Sequence, residues 1–303
     1  MNVSEYAKGV EKMVNPMMVG QSHYMQTKLR KLPVFLQRKI IKSATKKADK
    51  MPFVVEPYCT FMFYELEKPD EIAEYLPQDF VPTKASVFAG DTPKYYGVVS
   101  MFRIHTSVFW GSRAEFYLMA ENAKTGLLSW VMMDYISDTI SYDEQHGLKS
   151  PDVTGAIMTT TCEGDFVCEM NDNDKKTVCC EANLEGAKMR ALDERFWIEG
   201  NTSIAYGRLA GEPDGDLFSL TFFPEEMSRA LDIPISKVRV AKASTGLNFT
   251  TKLDRVISFP YAQHMLSDSP GASTHYGSKA TLRKAVESVD FKKINGLAAG
   301  KRK

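Results

Sequence analysis

Carboxylates set among aromatic residues at two-residue spacing are where this sequence could do chemistry. In Gly111-Ser-Arg-Ala-Glu-Phe-Tyr-Leu-Met-Ala-Glu121, the alternation of a half-buried strand puts Glu115, Tyr117 and Met119 on one face. From Trp130 to Pro151 the same alternation groups Trp130, Met132, Asp134, Ile136 and Asp138. A carboxylate on the inner wall of a β structure needs a hydrogen-bond partner, a shifted pKa or a wet cavity. An apolar cavity raises its pKa, so that it can move protons near neutrality and support enolisation, dehydration or cyclisation without a cofactor. Glu115 is the first candidate for such a proton carrier, followed by Asp134, Asp138, Tyr142 and Glu144. A wall glutamate paired to Arg113 or Arg103 for structural reasons is an equally good reading. Arg113, Tyr117, Trp130, Met132, Tyr142 and His146 are the expected substrate contacts, with His146 weighed against an ordinary solvent-facing loop histidine. No two of the five histidines have metal-ligand spacing, and no metal site is expected.

Strands must position these residues. Tyr58–Leu66, Thr83–Ala89 and Tyr95–Val108 read as strands, with a short helix at Pro69–Leu76 that has acids in its first turn and Pro77 closing it. The two organising strands are joined by the turn Asn122-Ala-Lys-Thr-Gly126. Further strands are predicted at Val153–Thr161, Asp165–Met170, Thr177–Ala182, Ser203–Ala210, Leu217–Phe223, Lys237–Thr245 and Asn248–Phe259. Helices are predicted at Pro224–Leu231 and Ser278–Phe291. Many strands with few short helices predict a mostly β (α+β) fold, a β-barrel or curved sheets around a central cavity.

Composition removes several classes. The 303 residues hold 38 Lys+Arg and 38 Asp+Glu, so no global field draws in nucleic acid. No apolar run approaches the roughly 20 residues of a membrane span and no secretory signal opens the chain, so a soluble cytoplasmic protein is expected. Five cysteines without a C-x-x-C pair speak against structural zinc and a disulfide framework, and Cys179-Cys180 reads as one residue in and one out on a strand. Glycine-rich phosphate loops and G-x-S-x-G are absent, which sets aside nucleotide enzymes and α/β-hydrolases. Asn171-Asp-Asn-Asp174 reads as a hairpin turn rather than a calcium loop, lacking the later glycine and glutamate.

Residues 1–52 form a basic helical extension to a β domain over 53–303. Nine Lys and Arg between Lys28 and Lys50 alternate with Leu29, Leu32, Phe35, Leu36, Ile40 and Ile41 at helical spacing. Two readings fit residues 22–50: a helix on an acidic membrane surface, or, the preferred one, a helix packed on its own barrel with its lysines in solvent. The first twenty residues are read as an arm that wraps a neighbouring subunit.

The order of features resembles the acetoacetate decarboxylase superfamily. The likeness rests on the aromatic strand and acidic helix from Phe61 to Pro77, with Leu76-Pro-Gln-Asp-Phe80 closing it. It continues through the Ala114-Glu-Phe-Tyr strand, Met133-Asp-Tyr-Ile-Ser-Asp-Thr-Ile-Ser-Tyr-Asp-Glu144 before a proline loop, and the Lys242-Ala-Ser-Thr-Gly246 hairpin. It covers roughly Tyr58 to Met265, by pattern more than identity. The resemblance implies a barrel-like fold around an apolar cavity, a homo-oligomer, a lysine that forms a Schiff base with the substrate and a pocket glutamate at the place of Glu115. Two departures stand out. Asp152 and Val153 follow Pro151 where the family has adjacent lysines, leaving Lys149 two residues before the proline, and Pro57 sits near the place of the family's carboxylate-holding arginine. Three functions follow: cofactor-free acid–base chemistry on an oxo acid or an unsaturated apolar metabolite by a lyase, isomerase or cyclase; Schiff-base decarboxylation through Lys149; or non-catalytic, lipocalin-like binding of an apolar ligand.

Overall fold

The computed structural model describes residues 1–14, 17, 24–25, 28–29, 31–45, 50–106, 110–138, 153, 155–172, 176–207, 217–244, 251–268 and 276–294. The chain opens with helix α1 (Val3–Met13), whose start is fixed by a reciprocal pair. The Asn2 side chain accepts from the Glu5 amide at 2.9 Å, and the Asn2 amide donates to the Glu5 carboxylate at 3.1 Å. Tyr6 and Val10 are fully buried, and the Tyr6 hydroxyl donates to the Thr221 carbonyl at 2.7 Å. The expected intersubunit arm is therefore a helix docked on this chain's own sheet. Helix α2 (Val34–Thr45) carries the basic segment. Its Val34, Phe35 and Ile40 are exposed, so those positions do not pack on the sheets as the preferred reading required.

Strands follow: β1 (Lys50–Val55), β2 (Cys59–Leu66), β3 (Phe80–Pro82), β4 (Tyr96–Thr106), β5 (Trp110–Asn122) and β6 (Leu127–Ser137). Next come β7 (Gly155–Thr160), β8 (Asp165–Asp172), β9 (Lys176–Asn183), β10 (Lys188–Ala191), β11 (Ile204–Tyr206), β12 (Leu217–Phe218) and β13 (Leu220–Phe222). The last are β14 (Arg229–Ile233), β15 (Val238–Ser244), β16 (Thr251–Phe259) and β17 (Gln263–Asp268), before helix α3 (Lys279–Glu287).

Among the described residues the strands form two sheets. The larger has thirteen strands with the path β10-β14-β16-β2-β4-β5-β6-β11-β12, extended by β1, β17, β13 and β3; the smaller is β15-β9-β8-β7. All pairings are antiparallel except β6 with β11. Of the two expected architectures, barrel or curved sheets, the fold is mostly β with large antiparallel sheets not closed into a barrel, and it has the helical N-terminal segment.

Two layers sandwich the centre of the larger sheet. On one face Met62, Val99, Met101, Ala114, Phe116 and Ile136 meet Phe166, Cys168, Met170, Val178 and Cys180 of the smaller sheet. Cys180 is buried and Cys179 only half-buried, as strand alternation requires. On the other face an aromatic cluster includes Phe63, Tyr117, Trp130, Phe196, Trp197 and Phe259, each burial contributing about 1.5–3 kcal/mol. The helical turns at Arg195–Glu199 and Gly200–Thr202 close over this cluster. Gly200 is required there, because a Cβ would fall 2.2 Å from the Trp130 indole nitrogen.

Several local expectations change. Thr83–Ala89 is not a strand: only isolated bridges form, Ala85 with Lys94 and Phe88 with Leu192. The helix expected over Pro224–Leu231 is a single 3-10 turn at Pro224–Met227, after which β14 pairs with β10 and β16. The apolar residues of Arg229–Ile233 are too few to distinguish helix from strand by period, and two partner strands decide it.

Candidate functional site

Strand β5 lies between β4 and β6 in the sheet and between both layers through it, so every residue from Gly111 to Ala120 is buried. Its odd positions, Arg113, Glu115, Tyr117 and Met119, alternate onto the aromatic face, while Ala114, Phe116, Leu118 and Ala120 fill the opposite one. Apolar residues at the even positions need nothing further. Arginine and glutamate at the odd ones must find each other or a ligand.

They find each other in part. The Arg113 Nε donates to Glu115 Oε1 at 2.7 Å, and the Tyr117 hydroxyl donates to Glu115 Oε2 in a short hydrogen bond. The Arg113 guanidinium lies over the Tyr135 ring, 4.4 Å from its centroid. Arg113 is 4% exposed and Glu115 5%, so the pair is desolvated. Burial works against the charge on Arg113, yet Glu115, with Tyr135 and Tyr117 behind it, raises its pKa overall and keeps it protonated. One donor is left over. Among the described residues the buried Arg113 Nη1 has no hydrogen-bond partner.

The surroundings are aromatic but not sealed. Register places Ser100 of β4 opposite Glu115 and Phe102 opposite Arg113, with Phe61 of β2 opposite Ser100. Phe61 and Phe102 on this face each keep part of their surface accessible. Phe61 packs edge-on against Trp130 and Trp197, at 5.7 and 5.3 Å between centroids, and Tyr117 meets Trp130 edge-on at 5.3 Å. A ligand here would lie on aromatic walls with a guanidinium, a carboxylate and a phenol at one end.

Strand β6 reaches this place with a changed alternation. Tyr117 pairs with Met132 but Phe116 pairs with Asp134, so Met133 is an extra residue, a β-bulge. Below the bulge Trp130 and Met132 share the Glu115 face, as expected. Beyond it Tyr135 and Ser137 do, opposite Glu115 and Arg113, while Asp134 and Ile136 turn to the other face. The grouping of Asp134 with Glu115 is thereby corrected, and Tyr135 is the residue missed. Asp134 Oδ1 instead accepts from the Tyr135 amide at 2.8 Å. Asp138 likewise lies away from Glu115: its Oδ1 accepts from the Ser112 amide at 2.5 Å, and burial raises its pKa although that hydrogen bond and Arg103 oppose the rise. The sequence signal was weak, because both parities of Trp-Val-Met-Met are apolar and period 2 cannot choose between them.

Of the expected residues, Glu115, Arg113, Tyr117, Trp130 and Met132 thus come together on one face. Tyr142, Glu144, His146 and Lys149 lie outside the described residues; the chain leads toward them from Ser137, which is paired with Arg113. Arg103, the alternative partner for Glu115, is on the opposite face near Glu56, at 3.6 Å. His105 hydrogen-bonds Glu56 and meets exposed Trp110 edge-on at 5.7 Å. No group of three or more metal-ligating side chains occurs among the described residues.

Fold and site together define a class: a protein of stacked antiparallel sheets with an arginine–glutamate–tyrosine cluster on an aromatic inner face. Among solved structures the chain is similar to acetoacetate decarboxylase from Legionella pneumophila subsp. pneumophila str. Philadelphia 1, with 10% identity over 76% of this chain and 88% of that one, at a TM-score of 0.47. It is also similar to a second acetoacetate decarboxylase structure, with 11% identity over 72% and 85% of the two chains, at a TM-score of 0.42. No family model and no curated protein matches. At these values the likeness transfers no residue and no activity.

Proposed function

We propose that the chain is a small-molecule enzyme that moves protons on an oxo acid, or a related unsaturated and mostly apolar metabolite, by side-chain acid–base chemistry. The observation that supports this reading is the desolvated Glu115 carboxylate, held by Arg113 and Tyr117 beside a buried guanidinium N–H that has no partner among the described residues. An unmet buried donor costs about 1–3 kcal/mol. A substrate oxygen meets that need.

In this reading the Arg113 Nη1 holds a carboxylate or carbonyl oxygen of the substrate. Glu115 takes a proton from the carbon next to the carbonyl. The Arg113 guanidinium supports the charge as it moves to the enolate oxygen, while Tyr117 holds Glu115 in place. Return of the proton to a different atom gives isomerisation; loss of a leaving group gives lyase or cyclase chemistry. Phe61, Phe102 and Trp130 would exclude water from the enolate.

The test is proton exchange. Incubated in D2O with a panel of short- and medium-chain 2- and 3-oxo acids, the protein should exchange the α-hydrogens of at least one of them, followed by proton NMR. Borohydride added with that substrate should leave no reduced adduct on the protein, because no imine is formed. Exchange of none of them, or a reduced adduct on Lys149, would overturn the proposal.

A further inference from the structure

The basic N-terminal segment carries a second inference, independent of the chemistry at Glu115. Between Glu11 and Asp49 the sequence has no acidic residue, and Lys28 to Lys47 contribute eight Lys and Arg. Thirteen large hydrophobic residues are exposed among the described residues, and seven of them (Met17, Tyr24, Met25, Leu32, Val34, Phe35 and Ile40) fall between residues 17 and 40. The four most exposed of the thirteen all lie in this stretch: Met17 at 72%, Phe35 at 67%, Tyr24 at 60% and Val34 at 59%. Exposed apolar side chains elsewhere are scattered singly, which is ordinary.

Along α2, helical spacing puts positions 34, 36, 40, 41 and 44, all apolar, on one arc and positions 38, 39 and 42, all cationic, on the opposite one. Leu36 is half-buried, but Val34 and Ile40 of the same arc are exposed and Lys39 faces solvent. Lys28 lies over the Tyr24 ring at 4.6 Å, keeping an aromatic and a cation together at the surface. Apolar side chains in solvent, flanked by cations and free of acids, match a helix lying in the plane of a lipid headgroup layer. A protein groove would satisfy the apolar arc but not so many cations; an anionic bilayer satisfies both.

We propose that helix α2 docks the protein on anionic membrane surfaces, with Val34 and Ile40 entering the headgroup layer and the lysines and arginines neutralising acidic lipids. The experiment is flotation of the full chain with extruded vesicles. It should float with phosphatidylserine-rich vesicles, stay behind with pure phosphatidylcholine, and be released as salt is raised. Replacing Lys31, Lys39 and Lys42 by Gln should lower partitioning about a hundredfold, from about fivefold per cation. Replacing Val34 and Ile40 by Ser should also release the protein, with an unchanged thermal unfolding curve showing that both variants fold. Equal recovery with the two lipids, or no recovery with either, would overturn the proposal. So would lipid-independent self-association that the Gln variant abolishes, because the segment would then pair with a second copy of the chain.

Discussion

A guanidinium sealed in a sheet has to place five N–H bonds, and Arg113 places them incompletely. Removing Arg113 should still be costly, because Glu115 would keep only Tyr117. Arg113→Met is expected to destabilise the fold by about 3–5 kcal/mol, whereas Arg113→Met combined with Glu115→Leu should recover most of the loss. Urea midpoints of the three proteins measure it; a single-variant loss below about 1 kcal/mol would show that the pair is not desolvated as described. At this scale the sequence was informative. Glu115, Tyr117 and Arg113 were found by alternation alone, because the intervening alanine, phenylalanine and leucine leave no other parity for the polar residues. Asp134 was placed on the wrong face, since one extra residue reverses all later parities and nothing in Trp-Val-Met-Met marks where it enters.

Elements held together by few groups have their own pH behaviour. Helix α1 and the 3-10 turn at Pro224–Met227 meet on His264 of β17: Glu226 Oε1 lies 2.7 Å from its Nδ1 and Glu11 Oε1 3.2 Å from its Nε2. Glu226 Oε2 also accepts from the His264 amide at 2.8 Å. Burial pulls the histidine pKa down, but the hydrogen bond and charge of Glu226, helped by Glu11, raise it above the ordinary 6.5. A raised folded-state pKa means that the stabilisation is complete below the unfolded value and is lost as pH rises through the folded one. Wild type should therefore exceed His264→Gln in stability most below pH about 6.5, with the difference fading on the alkaline side. Unfolding curves across pH would show it; a difference that grows with pH would contradict the assignment. The sequence did not reveal this contact, because Glu11, Glu226 and His264 are brought together only by tertiary packing. The same limit explains Arg229–Ile233, a strand because β10 and β16 flank it, and the short β1, whose partners are β4 and β17.

For the molecule as a whole, a net charge of zero conceals a strong local asymmetry. Positive charge is gathered in one N-terminal stretch, and the apolar side chains beside it are left in solvent. The mostly β architecture was legible from the frequency of turns and the scarcity of long helical periods. Closure was not, because a strand pattern specifies which face is buried but not whether the first and last strands meet. The smaller sheet covers one face of β5 and the aromatic cluster covers the other, with Phe61 and Phe102 on the Glu115 face partly accessible. None of the described helices is long and apolar enough to cross a membrane. The account rests on Glu115 acting as a proton carrier rather than as a brace for Arg113. The most direct measurement takes one oxo acid that the wild type exchanges and follows its affinity and α-hydrogen exchange in D2O with Glu115→Gln. The account predicts nearly unchanged affinity with exchange slowed by about 10²-fold or more; exchange at the wild-type rate would contradict it.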